Sequence, residues 1–80
     1  QWMTDAHRRL ADAMIAEIVE QESMAHELAE FADLMEADDH LATAATFRSM
    51  SRSRRVKGME LRGNLAALEV ANHDATEGGG

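Results

Sequence analysis

The sequence from Glu22 to Lys57, ESMAHELAEFADLMEADDHLATAATFRSMSRSRRVK, predicts a helical hairpin. Apolar residues recur at three- and four-residue steps on both sides of the polar segment EADDH at 36–40. Such steps place side chains on one side of a helix. A link as short as 36–40 makes the two helices antiparallel neighbours. The segment before the link is acidic and the segment after it is basic, so the two helices attract each other.

The composition supports an all-α fold within one domain. The 80 residues include no Pro and few aromatics, and they are rich in Ala, Leu, Met and Glu, which favours helices over strands. We assign residues 1–74 to a single helical-hairpin domain, with helix one over about 4–36 and helix two over about 40–72, and we expect a flexible tail over 75–80. A chain this short buries only a small core by itself. We therefore expect a homodimer, or a larger homo-oligomer, that forms a four-helix bundle.

The charged residues are distributed unevenly along the chain. The net charge is −7. Residues 1–40 contain eleven acids and two arginines, whereas residues 41–80 contain six Lys and Arg and four acids. This asymmetry favours packing of the first helix against the second and disfavours packing of like helices.

Both predicted helices carry an apolar stripe that is too wide for one partner helix. In helix one the stripe consists of Leu10, Met14, Ile18, Gln21, Ala25, Leu28, Ala32 and Met35. In helix two the residues at such steps are Phe47, Met50, Arg54, Lys57, Leu61, Leu65 and Leu68. We expect the packing interface to contain Leu28, Phe31, Met35, Phe47, Met50, Met59, Leu61, Gly63, Leu65 and Leu68. Gly58 and Gly63 each cost roughly 1 kcal/mol inside a helix. Either both are tolerated surface glycines or local bends, or one of them, with Gly63 favoured, lets a neighbouring helix approach closely.

The composition also bounds the class of protein. Without cysteine the chain forms no disulfide, thiolate zinc site or iron–sulfur cluster. No apolar run approaches the ~20 residues of a membrane-spanning helix, so we expect a cytoplasmic protein with no membrane contact. The basic residues are spread around helix two without interleaved aromatics, so nucleic acid is not an expected partner. No Ser-His-Asp set or glycine-rich phosphate loop is present, and no catalytic residue is assigned.

Two segments resemble the ligand-bearing helices of rubrerythrin-type ferritin-like proteins. Residues 22–26, Glu-Ser-Met-Ala-His, followed by the pair Phe31-Ala32, resemble the first such helix, in which the Glu is a metal ligand. Residues 44–50, Ala-Ala-Thr-Phe-Arg-Ser-Met, resemble the second, in which a Phe-Arg pair precedes a Glu-x-x-His motif. This resemblance covers most of the predicted hairpin and implies a four-helix bundle around a di-iron carboxylate centre.

The sequence departs from that pattern at the metal ligands. Arg54 and Lys57 occupy the positions where the resemblance places the Glu and the His, and Glu22 is the one ligand that remains from this hairpin. We therefore expect a charged core site of Glu22, Arg54 and Lys57, in which a Glu22–Arg54 ion pair replaces the metal. The alternative is that Arg54 and Lys57 extend along their apolar stems to solvent.

These observations favour a non-catalytic, ferritin-like structural or protein-interaction module without a cofactor. One alternative is a ferritin-like oxidoreductase or iron-handling protein, in which Glu22 and His26, four residues apart, bind iron with ligands from other subunits. The other alternative is a small adaptor whose basic second helix docks on an acidic protein partner. The sequence leaves all three open.

Overall fold

The computed structural model is a hairpin of two long α-helices. It describes residues 4–78, with side chains described over 4–73. Helix α1 spans Asp5–Ala37 and helix α2 spans Leu41–Gly78, and no strand occurs between residues 4 and 78. The all-α, two-helix architecture predicted from the sequence is thereby confirmed.

Local chemistry explains where α1 begins and how the chain reverses. The side-chain oxygen of Thr4 accepts a hydrogen bond from the backbone N–H of His7 at 3.1 Å, which satisfies a free donor of the first turn. In the link, Asp39 has a φ of 62°, a left-handed conformation that Asp tolerates better than most residues. The N–H of His40 donates to the carbonyl of Met35 at 2.8 Å. The chain therefore reverses without a glycine.

Helix α2 extends beyond its predicted end near Asn72. Residues 75–78, which we expected in a flexible tail, belong to this helix. The chain contains neither Gly nor Pro over 71–77, so nothing there interrupts the backbone hydrogen bonds. The rest of the predicted tail, 79–80, and the first residues of the predicted domain, 1–3, lie outside the described residues.

The two helices meet along a narrow seam of mostly small side chains. The buried seam residues, at seven-residue intervals, are Ala11, Ile18, Ala25 and Ala32 on α1 and Ala44, Ser51 and Gly58 on α2. A seven-residue repeat keeps one line of contact along a pair of supercoiled helices. Because these side chains are small, the backbones approach closely, and the Ser51 hydroxyl donates to the backbone carbonyl of Ala25 at 2.6 Å.

This seam matches the predicted stripe of α1 more closely than that of α2. On α1 the predicted stripe contains all but the first of the buried seam residues. On α2 the predicted residues Met50 and Lys57 are exposed, and the buried line runs one residue further along, through Ser51 and Gly58. Hydrophobicity identifies Met50 as a core residue, whereas the close approach of the helices selects small side chains.

Gly58, rather than Gly63, lies where the two helices come closest. A Cβ atom at position 58 would lie 3.4 Å from Cγ of Glu22 and 3.9 Å from Cβ of Gln21, whereas one at position 63 would meet no atom within 4 Å. The prediction of close approach at Gly63 is therefore wrong for these two helices. The place of Gly63 in a subunit interface stays a prediction.

The seam leaves the hairpin with a small core. None of the described large side chains is fully buried, and the accessible surface is 5741 Å², compared with ~4,800 Å² expected for a compact monomer of this mass. The exposed large apolar residues are Leu10, Ile15, Val19, Phe31, Leu34, Leu41, Met50, Val56, Met59 and Val70. Much of the apolar surface therefore lies outside the seam. Over the described residues, neither helix carries an apolar stretch long enough to cross a bilayer.

Substitution by leucine should distinguish the two glycines. Gly58→Leu should lower the free energy of unfolding by about 1–3 kcal/mol, because the larger side chain has to displace Glu22 and Gln21. Gly63→Leu, the matched control, should raise it by up to about 1 kcal/mol, since leucine is the better helix former and meets open space there. Urea unfolding followed by circular dichroism, at one protein concentration, measures both changes. Equal effects of the two substitutions would contradict the assigned seam.

Candidate functional site

The predicted charged core site is divided between the two sides of the seam. The Glu22 carboxylate accepts two hydrogen bonds from Arg62, one from Nε at 2.7 Å and one from Nη2 at 2.9 Å. Arg54 instead donates from Nη1 to the side-chain oxygen of Gln21 at 3.3 Å, and Lys57 is exposed. The predicted Glu22–Arg54 ion pair is therefore wrong, and sequence analysis missed Arg62 as the partner.

The side of the seam explains which arginine pairs with Glu22. Gly58 lies beside Gln21 and Glu22, and Arg54 and Arg62 are each one turn away from Gly58 along α2. Both arginines therefore reach the level of Glu22 along the hairpin. Gln21 and Arg54 share one side of the seam, and Glu22 and Arg62 share the other. The position of a turn predicts the level of a residue in a hairpin but not its side.

The ion pair changes the acid–base behaviour of Glu22. The hydrogen bond from Arg62 lowers the pKa of Glu22, partial desolvation opposes this shift, and the charge of Arg62 adds to it. The same hydrogen bond raises the pKa of Arg62. The side chains of Arg62 and Glu22 are 62% and 43% exposed, so water and salt screen the pair. Its main effect is to hold an ionised Glu22 against α2.

A second set of ion pairs joins the helices near the link. Arg48 donates from Nη2 to Oδ1 of Asp33 at 2.8 Å and to Oε1 of Glu36 at 3.1 Å. Arg48, Arg55 and Arg62 follow one another at seven-residue intervals, so they form a row along one side of α2. The charge asymmetry of the sequence predicts this attraction in general terms, and the seven-residue row is the signal that locates it.

We call this side of the hairpin the polar face, defined by Glu22, His26, Arg48, Arg55 and Arg62. It contains two open grooves. One, of about 350 Å³, is lined by Glu22, His26 and Arg55 together with two alanines. The other, of about 260 Å³, is bordered by Arg48, Arg52 and Arg55. The polar face therefore concentrates guanidinium groups beside shallow grooves.

Glu22 and His26, the weak metal candidates of the sequence, have other partners. Nε2 of His26 lies 3.5 Å from the carboxylate of Glu30, one turn further along α1, while Glu22 is bound by Arg62. Among the described residues, no three His, Asp or Glu side chains come together in a way that could hold a metal ion. Within the described hairpin, the two candidates therefore have no third ligand.

The other side of the seam is the apolar face, defined by Met24, Leu28, Phe31, Phe47 and Met50. The rings of Phe31 and Phe47 stack with their centroids 4.8 Å apart and join the two helices there. Phe31 and Met50 nevertheless remain 47% and 44% exposed. A groove of about 290 Å³ is lined by Met24, Glu27, Leu28, Phe31, Met50 and Arg54. One acid and one arginine thus accompany the apolar side chains of this groove.

The predicted interface residues fall into two groups. Phe31, Met50, Met59 and Gly63 are exposed. The partly buried members are Leu28, Met35, Phe47, Leu61, Leu65 and Leu68. The second group already contributes to packing within the hairpin, and the first is accessible to another molecule.

No protein-family model, no curated protein and no solved structure matches this chain. The resemblance to rubrerythrin-type proteins therefore stays a prediction from residues 22–32 and 44–50.

Replacing each arginine in turn should identify the partner of Glu22. In Arg62→Gln the pKa of Glu22 should rise toward its ordinary value, because the charge-assisted hydrogen bonds that stabilise the carboxylate are lost. In the control Arg54→Gln the pKa of Glu22 should keep its wild-type value. NMR titration of the Glu22 side-chain carboxyl measures both. An upward shift in Arg54→Gln alone would contradict the observed pairing.

The same shift determines how the pair affects stability at different pH. Because the pKa of Glu22 is lower in the folded chain than in the unfolded chain, the pair stabilises the fold above the ordinary Glu pKa of ~4.3. That contribution is lost as the pH falls through the lowered folded-state pKa. The free energy of unfolding of Arg62→Gln should therefore lose less than that of wild type as the pH falls through this range. Because 1 M salt screens the pair, the difference between the two proteins should shrink in 1 M salt.

Proposed function

We propose that this chain is a non-catalytic, ferritin-like structural and protein-interaction module that self-associates through its apolar face. One observation carries the proposal: Phe31 and Met50 stay nearly half exposed beside an apolar groove. Contiguous exposed apolar surface of this kind marks a protein contact. Two hairpins joined through this face make a four-helix bundle, the architecture that the sequence resemblance implies.

Association supplies the core that the hairpin lacks. Among residues 4–73, the buried apolar residues are four alanines and Ile18. Burial of apolar area contributes roughly 25 cal/mol per Å², so covering the side chains of Phe31 and Met50 adds more than burying further alanines. Chains of this size commonly depend on such reinforcement, because their own core is too small.

The charged residues support a role without a di-iron centre. A carboxylate ligand must be free to coordinate, whereas the carboxylate of Glu22 accepts two hydrogen bonds from Arg62. The positions from which the resemblance would take a Glu and a His carry Arg54 and Lys57, whose charges repel metal cations. The residues of this hairpin therefore do not fit such a centre, and we assign no redox step to it.

The arginines of the polar face favour a second candidate function, that of an adaptor. Arg52 and Arg55 border the same groove as Arg48, and among residues 4–73 they have no carboxylate partner. Guanidinium groups that are free on one face suit an acidic segment of another protein. In this role the polar face contacts the partner, while the apolar face still holds the subunits together.

Self-association should depend on the apolar face. Wild-type protein should sediment as a dimer, and Met50→Asp should raise the dissociation constant at least about tenfold, because the contact would desolvate a carboxylate. Val56→Asp is the matched control, since Val56 is 49% exposed against 44% for Met50 but lies two residues from both Arg54 and Gly58, on the far side of α2. Sedimentation equilibrium at several concentrations measures all three proteins.

Two results would overturn this proposal. A wild-type protein that stays monomeric at every concentration would remove self-association. Iron that binds in a fixed ratio to subunits after loading, and that is lost in Glu22→Ala, would favour the oxidoreductase or iron-handling alternative. Elemental analysis of the sedimentation sample provides this second readout, and a dimer without iron is the expected result.

Charge reversal tests the adaptor function. Fluorescently labelled poly-glutamate, a probe for acidic segments, should bind in a salt-dependent way, and Arg52→Glu with Arg55→Glu should weaken binding by about tenfold or more. The control is Arg8→Glu with Arg9→Glu, which changes the net charge equally but on α1. Fluorescence anisotropy measures the affinities. Equal losses in the two double variants would show a general charge effect and remove this candidate.

A further inference from the structure

We infer that the apolar face is covered by a second copy of the chain in one particular arrangement. The two hairpins lie side by side with their links at the same end, so that α1 of each subunit packs on α2 of the other. In this arrangement Glu27 of one subunit meets the partner's Arg54. The inference rests on the proposed self-association and specifies its geometry.

The contacts inside the hairpin determine which residues share a level along its length. Ser51 contacts Ala25, and Phe47 stacks on Phe31. Near these two contacts, Glu27 of α1 and Arg54 of α2 line the same groove of the apolar face. A residue packed over this groove therefore encounters an acid from one helix and a cation from the other.

Two-fold symmetry allows two ways to place one apolar face on another. If the axis runs parallel to the helices, α1 lies over the partner's α2 and both links are at the same end. If the axis runs across the helices, like helices lie over each other and the links are at opposite ends. Both arrangements bury the same apolar residues, so hydrophobic burial does not choose between them.

Charge chooses between the two arrangements. At seven-residue steps, Glu17 lies in line with Met24 and Phe31, and Glu20 lies in line with Glu27 on the α1 border of the apolar face. The α2 border carries Arg54, Lys57 and Glu60. With the links at the same end, Glu27 faces the partner's Arg54 and Glu20 faces the partner's Lys57, while Glu17 comes level with the partner's Glu60, so two favourable contacts stand against one unfavourable contact. With the links at opposite ends, the acidic border of α1 faces its own copy, and like charges across a contact are unfavourable.

Arg54 provides a second, independent reason. Arg54 is a partly buried residue, and within residues 4–73 its hydrogen-bond partner is a neutral amide oxygen, that of Gln21 at 3.3 Å. A guanidinium removed from water normally has a carboxylate partner. The carboxylate of the partner's Glu27 supplies one only when α1 lies over α2. The two-fold axis then forms this pair twice.

The dimensions fit a second copy. The hairpin measures 62 × 17 × 12 Å, and the outline of its broad side exceeds the ~800 Å² that each partner buries in a specific interface. An isologous contact requires one surface to complement itself. The apolar face does so, because each subunit presents both an acidic border and a basic border.

A distance between labels separates the two arrangements. The chain has no cysteine, so Ala37→Cys, at the end of α1 beside the link, carries a single nitroxide label. With the links at the same end, pulsed EPR should give an intersubunit distance of roughly 20–30 Å, the width of a four-helix bundle. With the links at opposite ends, the distance should approach the 62 Å length of the hairpin.

Charge exchange tests the intersubunit pair. Glu27→Arg and Arg54→Glu should each raise the dimer dissociation constant by about tenfold or more, and the double variant should return it to within about threefold of wild type. Glu30→Arg is the control, because Glu30 is exposed and points away from the groove with His26. Sedimentation equilibrium of the full chain provides the constants.

The outcomes distinguish this inference from the proposed function. A short label distance with rescue in the double variant supports both. A stable dimer with a distance near 62 Å, or without rescue, overturns the arrangement and leaves self-association standing. A protein that is monomeric at every concentration overturns both.

Discussion

The close approach of two helix backbones along Ala25, Ser51 and Gly58 is the constraint on which the other features depend. Small side chains at these positions let a serine hydroxyl reach the main chain of the facing helix, and a Cβ atom at position 58 would already lie 3.4 Å from Cγ of Glu22. They also bury little apolar area. The larger apolar residues consequently lie beside the seam rather than in it, and the hairpin acquires an exposed apolar face.

The seam also sorts the charged residues. Glu22 and Arg62 lie on one side, and Gln21 and Arg54 lie on the other. Gln21 and Glu22 are adjacent in the sequence, yet they lie on opposite sides of the seam. The polar face collects ion pairs between the helices, and these are screened by water. Arg54 remains on the apolar face with a neutral partner. The two faces therefore differ in chemistry even though both helices contribute to each.

The sequence predicts the helices, the link and most of the α1 stripe, because these depend on spacing and local chemistry. It does not predict which residues of α2 are buried. Hydrophobicity ranks Met50 above Ser51, and Lys57, which belongs to the predicted stripe, is exposed. It assigns Glu22 to Arg54 because a turn position predicts level but not side. Helix α2 continues beyond the end that the sequence predicts, since residues 71–77 contain neither Gly nor Pro. The ferritin-like resemblance stays a prediction from two short segments.

The Glu22–Arg62 pair matters more for alignment than for strength. A seam that repeats every seven residues is ambiguous, since sliding one helix by a repeat, ~10 Å, again sets small side chains against small ones. The residues seven positions before and after Glu22 are Ile15 and Ala29, and neither can accept a hydrogen bond from an arginine side chain through its own side chain. A slip in one direction sets Glu69 beside Glu22 and loses this pair, whereas a slip in the other sets Arg55 beside Glu22. That second slip leaves Arg48 beside His26 and Ala29 in place of Asp33 and Glu36, so the two sets of ion pairs together exclude both slips. Exposed contacts that add little to stability can therefore still determine the register of the two helices.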